Sequence, residues 1–238
     1  MRKSTEKTEV FKLRRKKVIA KLNGAALLVA AHPEQIRNDD VHHPYRPDSN
    51  LYYLTGFEEP ESYLLIRPGH TPETVMFVRE KNVERETWDG FRFGPEGTKK
   101  EFGIDEVYTV DKLEEKCVEL LKGFEEVYYR LFKNPESDKH FESILTRLKR
   151  AYGRTGYGLL TVKDADTFLG EFRLKKDEFD LDNLRKACEI SAQAHVAAMK
   201  FTRPGVNERQ VQGVLAHEFY MRGSSRPGYS FIVASGDN

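Results

Sequence analysis

The spacing of apolar positions changes period along the chain. Over residues 8–22, Val10, Phe11, Val18 and Leu22 fall on one face and basic residues on the others, which predicts an amphipathic helix with a solvated basic face. Gly24 stands where a helix C-cap is expected. Ala25-Ala26-Leu27-Leu28-Val29-Ala30 then runs apolar without alternation, the pattern of a strand buried on both faces. Tyr63-Leu64-Leu65-Ile66 and Val75-Met76-Phe77-Val78 predict two more strands, and the turn residues Pro68-Gly69-His70-Thr71-Pro72 join them as a hairpin. Further on the periods alternate. Short helices are expected at 83–88 and 95–102, a strand at 107–110, a helix at 112–121 and a strand at 127–131. Asn134-Pro135-Glu136 supplies an N-cap, an N1 proline and a first-turn acid for a helix reaching Tyr152. Strands alternating with helices predict a three-layer α/β domain with a mixed, largely parallel sheet over residues 1–165.

A second unit is expected over residues 170–238. Asp177 caps a helix over 178–201, with Asp180 and Asp182 in its first turns. Leu184, Cys188, Ser191, His195 and Ala198 form a narrow stripe, and Ala187, Ala192, Ala194, Ala197 and Ala198 suit close packing against a sheet. Arg203-Pro204-Gly205 breaks that helix, a second covers 207–222, and Tyr229 to Ala234 predicts a strand. Two helices and one strand cannot bury both faces of a sheet, so this unit reads as the opening of an α/β domain whose remainder lies elsewhere.

Composition narrows the classes. The chain has 238 residues, 39% hydrophobic and 32% charged, with a net charge of +1. That balance argues against a general nucleic-acid or membrane partner. Basic residues do gather at the start, including Arg14-Arg15-Lys16-Lys17, but no aromatic platform accompanies them. Followed by apolar residues 24–31, this segment has a signal peptide's outline; the run is short and Lys21 interrupts its approach, so it reads as the first strand. Cys117 and Cys188 are the only cysteines and form no CxxC, which fits a reducing, cytoplasmic setting.

Three segments carry candidate chemistry. Residues 37–57 are polar and aromatic-rich without periodicity, and predict a long loop. Within it, His42 and His43 stand beside Asp39 and Asp40, but adjacent side chains diverge and no third metal ligand follows. Residues 84–94 hold Trp88 with Gly90, Phe91 and Arg92. It is either a packed aromatic in a loop or an exposed apolar wall for a substrate or partner subunit. His217-Glu218 begins an HExxH pattern, but Met221 stands where the second histidine is required. His217 and His195 therefore read as ordinary helix residues.

The run Pro44-Tyr45-Arg46, Ser49, Tyr53, Thr55-Gly56-Phe57, Glu59-Pro60-Glu61 resembles the amino-terminal domain of Xaa-Pro aminopeptidases (aminopeptidase P). Trp88, Gly90 and Arg92 match that domain's W-x-G-x-R. Arg173, Lys176, Arg185, Ser191, His195, Arg203-Pro204-Gly205, Glu208, Glu218-Phe219, Tyr229 and Ile232 to Gly236 resemble the opening of the same family's catalytic domain. The resemblance is weak over residues 110–170. It implies a second domain of pita-bread fold, truncated at 238, and hydrolysis of the bond between an N-terminal residue and a following proline. It also implies two divalent metal ions, manganese in kind, held by two Asp, one His and two Glu that would all follow Asn238. By the resemblance this chain supplies no catalytic and no metal-ligating residue, binds no metal alone and is inactive alone. Its substrate-facing residues would be Asp40, Trp88 and Tyr229, with Trp88 reaching a neighbouring subunit's site in a homo-oligomer. One departure stands out: where some bacterial relatives have Asp-Trp-Arg-Pro, this chain has Asp164-Ala165-Asp166-Thr167. The alternatives are a non-catalytic oligomerisation module, or a prolidase-like or creatinase-like relative.

Overall fold

The computed structural model describes residues 4–155 and 161–237. The chain divides into two compact units after Leu174.

The first unit contains α1 (Ser4–Ile19), β1 (Ala26–Ala30), β2 (Ile36–Asn38), β3 (Val41–His42), α2 (Ser49–Thr55), β4 (Tyr63–Ile66), β5 (Thr74–Val78), α3 (Val83–Asp89) and α4 (Gly94–Phe102). It continues with β6 (Glu106–Thr109), α5 (Leu113–Leu120), β7 (Glu126–Tyr129), α6 (Pro135–Tyr152), β8 (Thr161–Asp164) and α7 (Ala165–Leu174). Six strands form one mixed sheet in the order β6-β5-β4-β1-β7-β8, and β2 pairs with β3 in a separate ribbon. β1 runs parallel to β7, β7 to β8 and β5 to β6, whereas the β4–β5 hairpin lies antiparallel beside β1.

Both faces of this sheet are buried, which explains the unbroken apolar runs. Alternate side chains go to opposite faces. Leu27, Val29, Leu64, Ile66, Met76 and Val78 face a core closed by α1, α2 and α7. Ala26, Leu28, Tyr63, Leu65, Val75 and Phe77 face a second core closed by α5 and α6. The apolar segment with a leader-like outline is β1, at the centre of the sheet.

The expected solvated basic face of α1 is overturned at Arg14 and Arg15, which are 2% and 3% exposed. Arg15 donates to Leu54 O at 2.8 Å, Phe102 O at 3.1 Å and Gly103 O at 2.7 Å, so one guanidinium satisfies carbonyls at the ends of both α2 and α4. Burial pulls its pKa down to about 10, which leaves it charged near neutrality. Arg14 donates to Tyr53 O and lies 4.3 Å from the Tyr53 ring centre.

The expected long loop over 37–57 is also corrected. It folds as the β2–β3 ribbon, closed by a two-residue turn with Asp39 at φ +45°, followed by α2. Asp48 caps α2 by accepting from Asn50 N and Leu51 N at 2.8 and 2.9 Å. Gly56 ends α2 at φ +73°, where a Cβ would overlap the Phe11 ring. The ribbon strands were too short to display a period.

The second unit is a helical hairpin of α8 (Glu178–Phe201) and α9 (Glu208–Met221). Asp177 caps α8, and Asn207 with Gln210 forms a capping box on α9. Of the small residues of α8, Ala194 and Ala198 pack with Leu215 of α9 in a buried core rather than against a sheet, while Ala187 and Ala192 are exposed. Leu184, Cys188 and His195 of the expected stripe are exposed. The strand expected over 229–234 does not form, because no strand among the described residues lies beside it to complete its hydrogen bonds. Its alternation survives: Phe231 and Val233 pack on the α8–α9 core while Ile232 stays 86% exposed.

Candidate functional site

The residues singled out as substrate-facing occupy three exposed positions. Asp40 lies in the β2–β3 turn, on a ribbon with Ile36 and Val41 exposed. Trp88 lies on α3, capped by the Asn82 side chain, which accepts from Arg85 N at 3.0 Å. Trp88 is 89% exposed and Phe91 is 64% exposed, which rules out a packed tryptophan. The packed aromatic of this segment is Phe93, whose ring centre lies 4.9 Å from Phe102 and 6.2 Å from Phe57. Tyr229 belongs to the second unit and is also exposed. There a groove of about 1020 Å³ is lined by His195, Leu215, Phe219, Arg222, Tyr229 and Phe231.

Much of the Pro44–Glu61 run does architectural work. Thr55 Oγ1 donates to Leu51 O at 2.7 Å and accepts from Phe57 N at 3.0 Å, which fixes the exit from α2. Tyr45 donates to His32 O at 3.2 Å, and burial pushes its phenol well above the usual range. Glu59 accepts from Phe93 N at 2.8 Å, and burial raises its pKa against the pull of Arg79 and Arg92.

A polar cluster missed by sequence reasoning sits at the carboxyl ends of β1, β7 and β8. Arg130 reaches Asp48 Oδ2 at 3.3 Å and Asp166 Oδ2 at 2.5 Å. Asn50 Nδ2 donates to Asp166 at 2.8 Å, and Arg173 Nη1 donates to Asn50 Oδ1 at 2.7 Å. His32 Nε2 lies 3.4 Å from Asp48, and burial lowers its pKa despite that carboxylate. The partners are far apart in sequence, so no local signal announces them. Asp164, in the stretch that departs from the bacterial pattern, accepts from Thr167 N at 2.6 Å and so caps α7.

The histidines make no catalytic set. His195 Nδ1 lies 2.8 Å from Ser191 O, one turn back. His217 is exposed, while its neighbour Glu218 pairs with Arg222 at 2.8 Å. Glu114 gathers Ser143, His140 and Arg147, but the serine bonds the carboxylate, not the imidazole. That is not a nucleophile–base pair. Among the described residues no group of three or more His, Cys, Asp or Glu is placed to hold a metal ion.

Comparison with known proteins places these features. Residues 11–128 match the aminopeptidase P N-terminal domain, and residues 182–238 match metallopeptidase family M24. The chain is 33% identical over 231 residues to a Xaa-Pro aminopeptidase of Escherichia coli, covering 96% of this chain and 52% of that protein. A Xaa-Pro aminopeptidase of Haemophilus influenzae is 30% identical over 232 residues, covering 97% and 51%. The solved structure of Pseudomonas aeruginosa aminopeptidase PepP superposes with a TM-score of 0.88 at 35% identity, covering 93% of this chain and 51% of that one. Zn-substituted E. coli aminopeptidase P in complex with product gives 0.87 at 31%, with the same coverage. The chain thus spans about half the length of the curated relatives it matches. In sequence and fold, the chain belongs to the aminopeptidase P family, carrying its amino-terminal domain and the opening of its M24 metallopeptidase domain.

Proposed function

We propose that this chain is the scaffold and substrate-presenting half of a Xaa-Pro aminopeptidase, which hydrolyses the bond between an N-terminal residue and a following proline. The observation that carries the reading is the match over 93% of the chain to PepP at 35% identity and a TM-score of 0.88. The two family matches, in order, support it. Residues 1–165 form the amino-terminal aminopeptidase P domain, and residues 170–238 open a pita-bread catalytic domain. In the whole enzyme two bound divalent ions, manganese by preference, would supply Lewis acidity and an activated water for the hydrolysis. This chain contributes none of their ligands. Asp40, Trp88 and Tyr229 face the peptide. Trp88 does so from a neighbouring subunit of a homo-oligomer, a role supported by its exposure and by the apolar residues of the β2–β3 ribbon. An isolated two-stranded ribbon is marginal in water, which favours covering it with a second copy. We place the enzyme in the cytoplasm, supported by the free Cys117 and Cys188 and by the lack of any described helix long and apolar enough to cross a membrane.

The test is a chimera joining residues 1–238 to the carboxyl-terminal half of the E. coli relative. Manganese-dependent release of the residue before proline is expected, with none from residues 1–238 alone. A folded, metal-loaded chimera that leaves Xaa-Pro peptides intact while cleaving other amino termini would sink the proposal.

A further inference from the structure

The excursion between β5 and α4 that carries Trp88 is tied together at its base. Lys81 precedes α3 and Arg92 follows it. Lys81 Nζ donates to Arg92 O at 3.0 Å and to Glu86 Oε1 at 2.7 Å. Glu86 Oε1 also accepts from Arg92 N at 3.2 Å. One carboxylate oxygen therefore joins the lysine ahead of the helix to the backbone behind it. Lys81 Nζ lies 4.3 Å from the Phe91 ring centre as well. Immediately beyond, Glu59 Oε1 accepts from Phe93 N at 2.8 Å, which anchors the clasp to the domain. Gly94, at φ +61°, lets the strands of the clasp approach: a Cβ there would stand 2.8 Å from Lys81 Cβ.

The described side chains of the tip are largely exposed. α3 spans seven residues, and Val83 and Trp88 are 74% and 89% exposed. A helix of this length is not stable alone. Its direction must come from its ends, where Asn82 caps the first turn and the clasp of Lys81 and Glu86 on Arg92 crosses from one side of the excursion to the other. A compact excursion whose ends are pinned together behaves as a single body.

We propose that Lys81 and Glu86 are positioning residues for Trp88: their clasp fixes the direction in which α3 presents the indole. The inference rests on the reading of Trp88 as peptide-facing, but its test needs no peptide. Trp88 is the only tryptophan in the chain, so its fluorescence anisotropy decay reports the motion of α3 directly. Lys81→Met and Glu86→Ala break the clasp, while Glu86→Gln keeps an oxygen acceptor at the same place. Alanine favours helix more than glutamate does, so lost order in Glu86→Ala cannot be charged to helix propensity. The expected result is a fall of the slow anisotropy amplitude by about a third in Lys81→Met and Glu86→Ala, the change from an ordered to a flexible segment. Glu86→Gln is expected to stay near wild type, and all three to keep the wild-type far-UV circular dichroism and thermal midpoint. Wild-type decays in both clasp-breaking variants would overturn the inference, as would an equal loss in Glu86→Gln. An intact clasp combined with a peptide-insensitive Trp88→Ala chimera would instead leave this inference standing and remove the peptide-facing role.

Discussion

Replacing Arg15 with methionine tests how the first unit is held together. The side chain is 3% exposed and reaches three carbonyls, those of Leu54, Phe102 and Gly103. Hydrogen bonds from a charged donor each contribute about 2 kcal/mol net, so three supply roughly 6 kcal/mol. Against that stands the cost of burying the guanidinium. A pKa drawn from 12.5 down to about 10 corresponds to about 3 kcal/mol disfavouring the charged form in the fold. The balance is roughly 3 kcal/mol in favour of arginine. Methionine removes the burial cost and preserves most of the volume, but it leaves helix-terminal carbonyls without a donor. It differs from the removal of a buried ion pair by apolar substitution, which is often neutral because both charges go together. Here the acceptors are backbone and remain.

The expected loss of about 3 kcal/mol lowers the urea midpoint without changing the slope, and lowers the thermal midpoint by about 6–12 °C for a unit of this size. Arg15→Lys retains the charge but cannot fork between α2 and α4, so it should fall between wild type and methionine. Circular dichroism and tyrosine fluorescence should report coincident transitions. A methionine variant within about 1 kcal/mol of wild type would refute the reasoning, because ordinary surface substitutions already span about half that. So would a lysine variant equal to arginine.

Three further outcomes follow from particular contacts. Gly56→Ala should cost about 2 kcal/mol by urea unfolding, since it combines a left-handed backbone at φ +73° with overlap on Phe11; a loss below about 0.5 kcal/mol would contradict this. Glu114 is held below the usual carboxylate range, first by its bond from Ser143 and then by that from His140, so its stabilisation is present above the unfolded pKa of about 4.3 and lost as pH falls through the lower folded value. Glu114→Gln should therefore differ from wild type by up to about 1 kcal/mol at pH 7 and converge with it near pH 3, and a pH-independent difference would count against the assignment. Asp166→Arg sets a like charge against Arg130 and should destabilise the first unit by about 1–2 kcal/mol, an effect that added salt reduces; a neutral result would show that Arg130 is held by Asp48 alone.

What the sequence disclosed depended on the range of the interactions involved. β1, β4 and β5 were legible because burial on both faces leaves an unbroken apolar run, and α6 because its cap, N1 proline and period agree. β8 and α7 escaped notice, since Thr161–Asp164 is short and half-exposed at the sheet edge and its role is set by pairing with β7. The fate of Arg14 and Arg15 could not be read from a helix face. Arg15 is buried only because the ends of α2 and α4, some 39 and 88 positions away, converge on it. The exposed indole at position 88 was one of two open readings, and tertiary packing decided it by placing Phe93, not Trp88, against Phe57 and Phe102.

The segment after α9 shows how a local pattern can be right while the element it predicts is missing. Phe231 and Val233 turn inward and Ile232 outward, as the alternation requires, whereas Tyr229, two positions before Phe231, stays exposed. A strand, however, is defined by hydrogen bonds to a neighbour, and side-chain period supplies only half of that condition. What holds the segment instead is the stack of Phe231 on Phe219 and the bonds from Ser235 N and Oγ to Glu208 at 2.5 and 3.0 Å. The same two helices bury only Ala194, Ala198 and Leu215 between them. The first unit closes two cores around a single sheet, whereas the second presents Met199, Met221, Tyr229 and Ile232 to solvent. The asymmetry follows from the number of layers each unit contains. It places the stable scaffold of the chain before Leu174, and in the second unit it leaves the groove beside Tyr229 lined by only two helices and one extended segment.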